Sequence, residues 1–172
     1  MTPTDEPRTP EGETATQVIL SLFRANGLLL AAGDLLAADQ GLTSARWQVL
    51  GAITLAERPL TVPQIARRMG LTRQSVHATV GRLVRDGLLA LAPNADHRRS
   101  ALVCLTQPGS ATYSAIDRRQ AAWVSRLAVR IGRADLETTA RVLEELCRRL
   151  EDDAQDTPRA GGEGGGDDED TA

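Results

Sequence analysis

The stretch TVPQIARRMGLTRQSVHATVGRLVRDGLLALAPNADHRRSALVCLT, Thr61 to Thr106, decides the fold. Thr61 is a helix cap, and Pro63 is tolerated in the first turn that follows. Ile65, Ala66 and Met69 fall on one inward face, and Gly70 stops this short helix. Leu71 is placed to pin the turn to the core. Thr72 caps a second helix whose Val76, Val80 and Leu83 recur at i, i+4 and i+7, a buried stripe. Gly87 ends it with a left-handed turn. The runs Leu88–Ala92 and Ala101–Leu105 flank the polar turn Pro93-Asn94-Ala95-Asp96 and read as a β-hairpin. The order is short helix, tight turn, helix, strand, charged tip, strand, which is a helix-turn-helix followed by a wing.

Outward from this lobe the pattern stays helical. Val18, Leu22, Ala25, Leu29 and Ala32 predict a first long helix to about Ala38. Thr43 or Ser44 caps another, with Trp47, Leu50, Ile53 and Leu55 on its apolar face and Glu57-Arg58-Pro59 after it. Beyond the hairpin, Thr106 begins a helix running to about Ile131, Gly132 interrupts, and a last helix spans about Asp135 to Asp152. Residues 1–13, rich in Pro, Thr and acids, are expected to be disordered, and so is the Gly- and Asp-rich tail 154–172. The fold class is therefore mainly α with a small β-hairpin wing. Residues 14–153 make one domain, with 61–106 as its DNA-binding lobe.

Composition bounds the function. Of 172 residues, 41% are hydrophobic, enough for a core. No run of about 18 apolar residues is free of charge, so no membrane partner is expected. The N-terminus has neither a basic start nor an apolar run, which points to the cytoplasm. Cys104 and Cys147 have no metal-ligand spacing, so no metal or cofactor is expected. No Gly-rich phosphate loop or nucleophile motif is present, and both His residues lie in the lobe, so the chain does not read as an enzyme.

Net charge is −3, yet it is unevenly spread. From Glu151 to Ala172 nine acids face one base, Arg159, giving −8. From Thr61 to Arg99 seven arginines face Asp86 and Asp96, giving +5. Positive charge is thus concentrated on the helix-turn-helix and wing, as duplex binding requires. The solvent side of the second helix carries Arg73, Gln74, His77 and Arg82, with Thr72 and Ser75 at its N-terminus. Arg matches guanine and Gln matches adenine in the major groove, and the helix N-terminus favours phosphate. At the wing tip, Arg98 and Arg99 suit a narrow minor groove, with Asp96 as a support that pairs with one and aims the other.

At these residues the chain resembles the MarR family of winged helix-turn-helix regulators. The resemblance rests on GLTSARWQVLGAI (Gly41 to Ile53), TVPQIARRMGLTRQSVHATVGRLVRDGLL (Thr61 to Leu89) and DHRRSALVCLT (Asp96 to Thr106), and extends over about residues 15–150. It implies a homodimer in which helices from 14–38 and 107–153 interleave. It implies a recognition helix at Thr72–Asp86 in the major groove and a wing in the minor groove. It also implies a repressor released by a small aromatic or phenolic effector. Trp47 and Trp123 are candidates to line such a pocket, with core or dimer packing as the alternative. Asp96-His97-Arg98 fits the family's Asp-x-Arg wing string. Counting back from Leu105-Thr106 instead puts His97 and Arg99 in those columns, so Arg98 and Arg99 both remain candidates for the groove. Ala78 stands where many relatives carry Arg. The first helix lacks the cysteine of the peroxide-sensing branch.

The helices outside the lobe form an apolar surplus that a symmetric dimer would cover. A dimer would present two recognition helices about one DNA turn apart, implying a pseudo-palindromic site. The alternative is a winged-helix module that binds protein as an antirepressor or adaptor. Its weakness is an aromatic content of 2%, too few anchors for a protein interface.

Overall fold

A computed structural model describes residues 7–97 and 99–156. The chain divides into two units, one up to Val124 and one from Ser125 on. The first helix, α1 (Pro10–Ala37), starts earlier than composition predicts. Thr9 caps it by accepting the Gly12 N–H at 3.1 Å, and Pro10 sits at its first position. Pro therefore marks a helix start, and residues 10–13 are helical rather than irregular. Residues 154–156, expected to begin the disordered tail, continue the last helix instead, while residues 1–6, 157–172 and Arg98 lie outside the described residues.

A 3-10 turn and Gly41, at φ 65°, lead to α2 (Ser44–Thr54). Asp34 of α1 accepts the Ser44 N–H at 2.6 Å, so one helix caps the next. Gly33 makes this approach possible, because a Cβ there would run into the Ser44 side chain. With the turn after it, α1 has a mean hydropathy of 1.5 over an 18-residue window, enough by length and composition to cross a membrane. Asp34, one of the charges that interrupt this run, is nevertheless spent on capping α2, and Gly33 and Ala37 are buried. The rest of the stripe stays uncovered within this unit: Leu20, Phe23, Leu28 and Leu29 are all more than half exposed.

The core lies under the lobe. Leu50, Leu60, Ile65, Val76, Leu83, Val103 and Ile116 are fully buried. They come from α2, β1 (Leu60–Thr61), α3 (Val62–Met69), α4 (Arg73–Arg85), β3 (Leu102–Leu105) and α5 (Gln107–Leu127). The predicted stripe Val76, Val80 and Leu83 is buried as expected, whereas Leu55 is exposed at the end of α2. The sheet has three antiparallel strands in the order β1-β3-β2, with β2 spanning Leu89–Ala92. Leu60 pairs with Val103, and Leu91 with Val103 on the other side. The hairpin was legible; β1 was not, because two residues carry no periodicity and Thr61 reads as a cap.

Helix α5 ends at Leu127, short of Ile131, and Arg130 takes a left-handed φ of 69° before Gly132. At its start Gly109 is irreplaceable, since a Cβ would meet the Leu88 carbonyl oxygen. The second unit contains α6 (Arg133–Asp156). On it, Glu145 accepts from both Arg148 and Arg149, and these hydrogen bonds hold its carboxyl down at about 2.

Candidate nucleic-acid interface

Helix α3 sets the geometry. Thr61 accepts the Gln64 N–H and Gln64 accepts the Thr61 N–H, a complete capping box. The helix stops at Gly70, φ 62°, where the Gly70 and Leu71 N–H groups return to the Arg67 and Ala66 carbonyls. This left-handed cap aims α4. The backbone, not the Leu71 side chain, makes the turn: Leu71 is 44% exposed, so the expected pin to the core is replaced by two hydrogen bonds.

Thr72 then caps α4 by accepting the Ser75 N–H at 3.1 Å. Thr72, Arg73, Gln74, Ser75, His77 and Arg82 are all exposed, as a reading face must be. Arg73, Gln74 and His77 line one groove of about 670 Å³ together with Arg99 of the wing, over a floor that includes Val80 and Val84. Arg73, His77 and Gly81 lie at i, i+4 and i+8, so a single helix face forms one wall. The groove does not include Thr72, Ser75 or Arg82. Among the described residues, Arg73, Arg82, Arg85 and Arg99 have no carboxylate partner. Their positive charge is left for an outside anion.

Of the two arginines that Asp96 was expected to pair with, Arg98 lies outside the described residues. Asp96 is exposed and pairs with no described arginine. Asn94 is the brace: its Nδ2 donates to the Ser100 carbonyl at 3.0 Å and its Oδ1 accepts the Asp96 N–H at 3.1 Å. Pro93-Asn94 was the available signal, because Asn side chains mimic a backbone turn. A second residue missed from sequence is Arg46 of α2. It bonds Asp86, the C-cap of α4, and the Gly41 carbonyl, which ties the far end of the recognition helix to the scaffold.

A separate cavity of about 530 Å³ lies among α2, α3 and α5, lined by residues including Trp47, Gln48, Arg68, Met69, Tyr113 and Asp117. Gly51 leaves room for the Tyr113 ring, 3.2 Å from where a Cβ would stand. The Trp47 Nε1–H is buried with no hydrogen-bond partner. Burial, and then Asp117, push the Tyr113 phenol above its ordinary range. Trp123 is half-buried on α5 and does not line this cavity.

Comparison with known proteins agrees with this geometry. A family model described as MarR family matches residues 40–100. The chain is 40% identical over 134 residues to the uncharacterized protein Rv2011c of Mycobacterium tuberculosis, covering 78% of this chain and 92% of that one. It is 32% identical over 108 residues to the transcriptional activatory protein BadR of Rhodopseudomonas palustris, covering 62% of each. Among solved structures, the M. tuberculosis regulator MosR in complex with DNA superposes with a TM-score of 0.66 at 23% identity, covering 77% of this chain and 95% of that one. CouR of Rhodococcus jostii RHA1, bound to p-coumaroyl-CoA, superposes with a TM-score of 0.69 at 21% identity, covering 76% and 91%. The reading helix, the wing and these likenesses together make the chain a member of the MarR family of winged helix-turn-helix, DNA-binding transcriptional regulators.

Proposed function

We propose that the chain acts as a cytoplasmic homodimer on a pseudo-palindromic operator, and that it represses until a phenolic effector releases it. Helix α4 enters the major groove with Arg73, Gln74 and His77, and Arg99 enters the adjacent minor groove. Thr72, Ser75 and Arg82 contact the backbone at the two ends of that helix. The observation that carries this reading is the single groove shared by Arg73, Gln74, His77 and Arg99. Phosphate contacts supply most of the affinity and base edges supply the choice of sequence.

The effector reading is supported by the cavity that Trp47 and Tyr113 line, and by the p-coumaroyl-CoA bound to CouR. Of the two tryptophan candidates, Trp47 is retained and Trp123 is assigned to packing.

Selection of bound sequences from random DNA, repeated with phenolic acids and their thioesters, tests both parts. The expected result is an inverted repeat whose occupancy falls with one class of phenol. Recovery of no common sequence would overturn the docking, and indifference to every phenol would overturn the release. The name of BadR favours a second sign, activation. A reporter placed behind the selected site decides between them by rising or falling when the protein is supplied.

A further inference from the structure

The wing has a second side. Ala101 lines the groove described above, while Leu102, the next residue, lines a different concavity of about 600 Å³, as the period-two alternation of extended chain dictates. Pro63 and Ser100 line both, so the two adjoin at the wing. The outer concavity is bounded by Arg58 in the loop after α2, by Gln64 and Arg67 on one face of α3, and by Asn94, Asp96 and His97 of the wing.

Its chemistry is cationic. Arg58 and Arg67 are exposed, and neither has a carboxylate partner among the described residues. Asp96 is the one carboxylate in the described lining, against two guanidiniums. Gln64 is occupied by the capping box and Asn94 by the Ser100 carbonyl, which leaves His97 and the two arginines to bind, and the arginines carry the permanent charge. A guanidinium presents a planar fork that matches phosphate oxygens. A duplex that takes Arg99 into its minor groove has a phosphate strand on either side of that groove, and the outer concavity has no α4 residue in its described lining, so it is placed to meet the strand away from α4.

We propose that Arg58 and Arg67 form a second DNA site, a clamp on phosphates outside the bases that α4 and the wing tip read. The clamp rests on the docking proposed above and extends it to flanking duplex. It adds affinity without base preference and lengthens the protected stretch on both sides of the operator. Arg58 supplies the far contact from a loop, and Arg67 supplies the near one from the last turn of α3.

The test uses the full chain and two duplexes, one ending at the selected half-sites and one extended by several base pairs on each side. Affinity is measured across a salt series for the parent, Arg58→Gln, Arg67→Gln and the double variant, with Gln74→Ala and Arg99→Ala as reference variants. The parent should prefer the extended duplex. The double variant should lose that preference, and its log–log salt slope should fall by about one per removed phosphate contact. Its ranking of operator sequences should stay that of the parent. Thermal melting confirms that each variant folds, which exposed arginines without partners permit. Parent-like slopes in the double variant, with the reference variants impaired, overturn the clamp and leave the docking standing. Parent-like behaviour in every variant overturns both.

Discussion

In the proposed docking, Gln74 and Arg99 divide the work of recognition between base choice and groove shape. Gln74→Ala should cost about 1–3 kcal/mol at one base position of the operator and little on unrelated DNA. Arg99→Ala should weaken binding to all duplexes and flatten the salt dependence. Competition titrations on single-base operator variants separate the two; equal losses on every sequence for Gln74→Ala would remove it from the reading face. Tyr113, the single tyrosine of the chain, offers an independent check on the cavity proposed for the effector. Burial and then Asp117 favour its neutral form, so the folded phenol titrates above 10.0. The stability this contributes is complete below the unfolded value and is lost as pH rises through the folded one. Phenolate absorbance should show that upward displacement, and Asp117→Asn should reverse part of it because burial, the larger cause, remains. A midpoint at or below the ordinary value would mean that the ring is not seated against the cavity wall.

Helix α4 carries one internal weakness, Gly81, whose missing side chain would meet nothing closer than the Arg85 guanidinium at 3.7 Å. Gly81→Ala should therefore stabilise the protein by about 0.5–1 kcal/mol in denaturant melts. Because Gly81 also lines the reading groove, the added methyl tests how closely DNA approaches it. Higher stability with reduced operator affinity places the duplex against that wall, whereas unchanged affinity leaves Arg73, Gln74 and His77 to make the contact from the rim. In the second unit, Glu145 is drawn down to about 2 by Arg148 and Arg149, so α6 keeps this cluster above the ordinary carboxylate range and loses it as pH falls towards that value. Carboxyl chemical shifts followed from pH 5 to pH 2 should locate the transition. The helix-turn-helix itself was legible because caps, glycines and a 3.6-residue stripe coincide between Thr61 and Gly87. The wing's brace was not, because Asn94 acts through a hydrogen bond to Ser100 across the tip rather than through any local period.

At the scale of the whole molecule, α1 carries an uncovered apolar stripe. Ile19, Leu20, Phe23 and Leu35 are exposed at 42%, 61%, 71% and 79%, which a chain in water covers by association. Phe23→Glu together with Leu20→Glu should shift the protein from dimer to monomer in sedimentation and lower operator affinity at least tenfold, since one half-site then binds without the other. A variant that stays dimeric and binds normally would move the dimer contact elsewhere. The lobe should keep its fold in either case, because the core draws only Ala37 from α1, and none of the four exposed stripe residues belongs to it.

Sequence alone determined the order of elements, the family resemblance and the polarity of α4, because caps, stop signals and helical periods act within one or two turns of chain. It also located the positive charge, since charge is additive along a segment. Tertiary structure decided what depends on contacts across the fold. It brought Arg99 to the same groove as Arg73, Gln74 and His77, and joined β1 to the hairpin. It bonded Asn94 to Ser100 across the tip, and tied α4 to α2 through Arg46 and Asp86. These pairings join residues between six and more than forty positions apart, where no local period records which partner a side chain will meet.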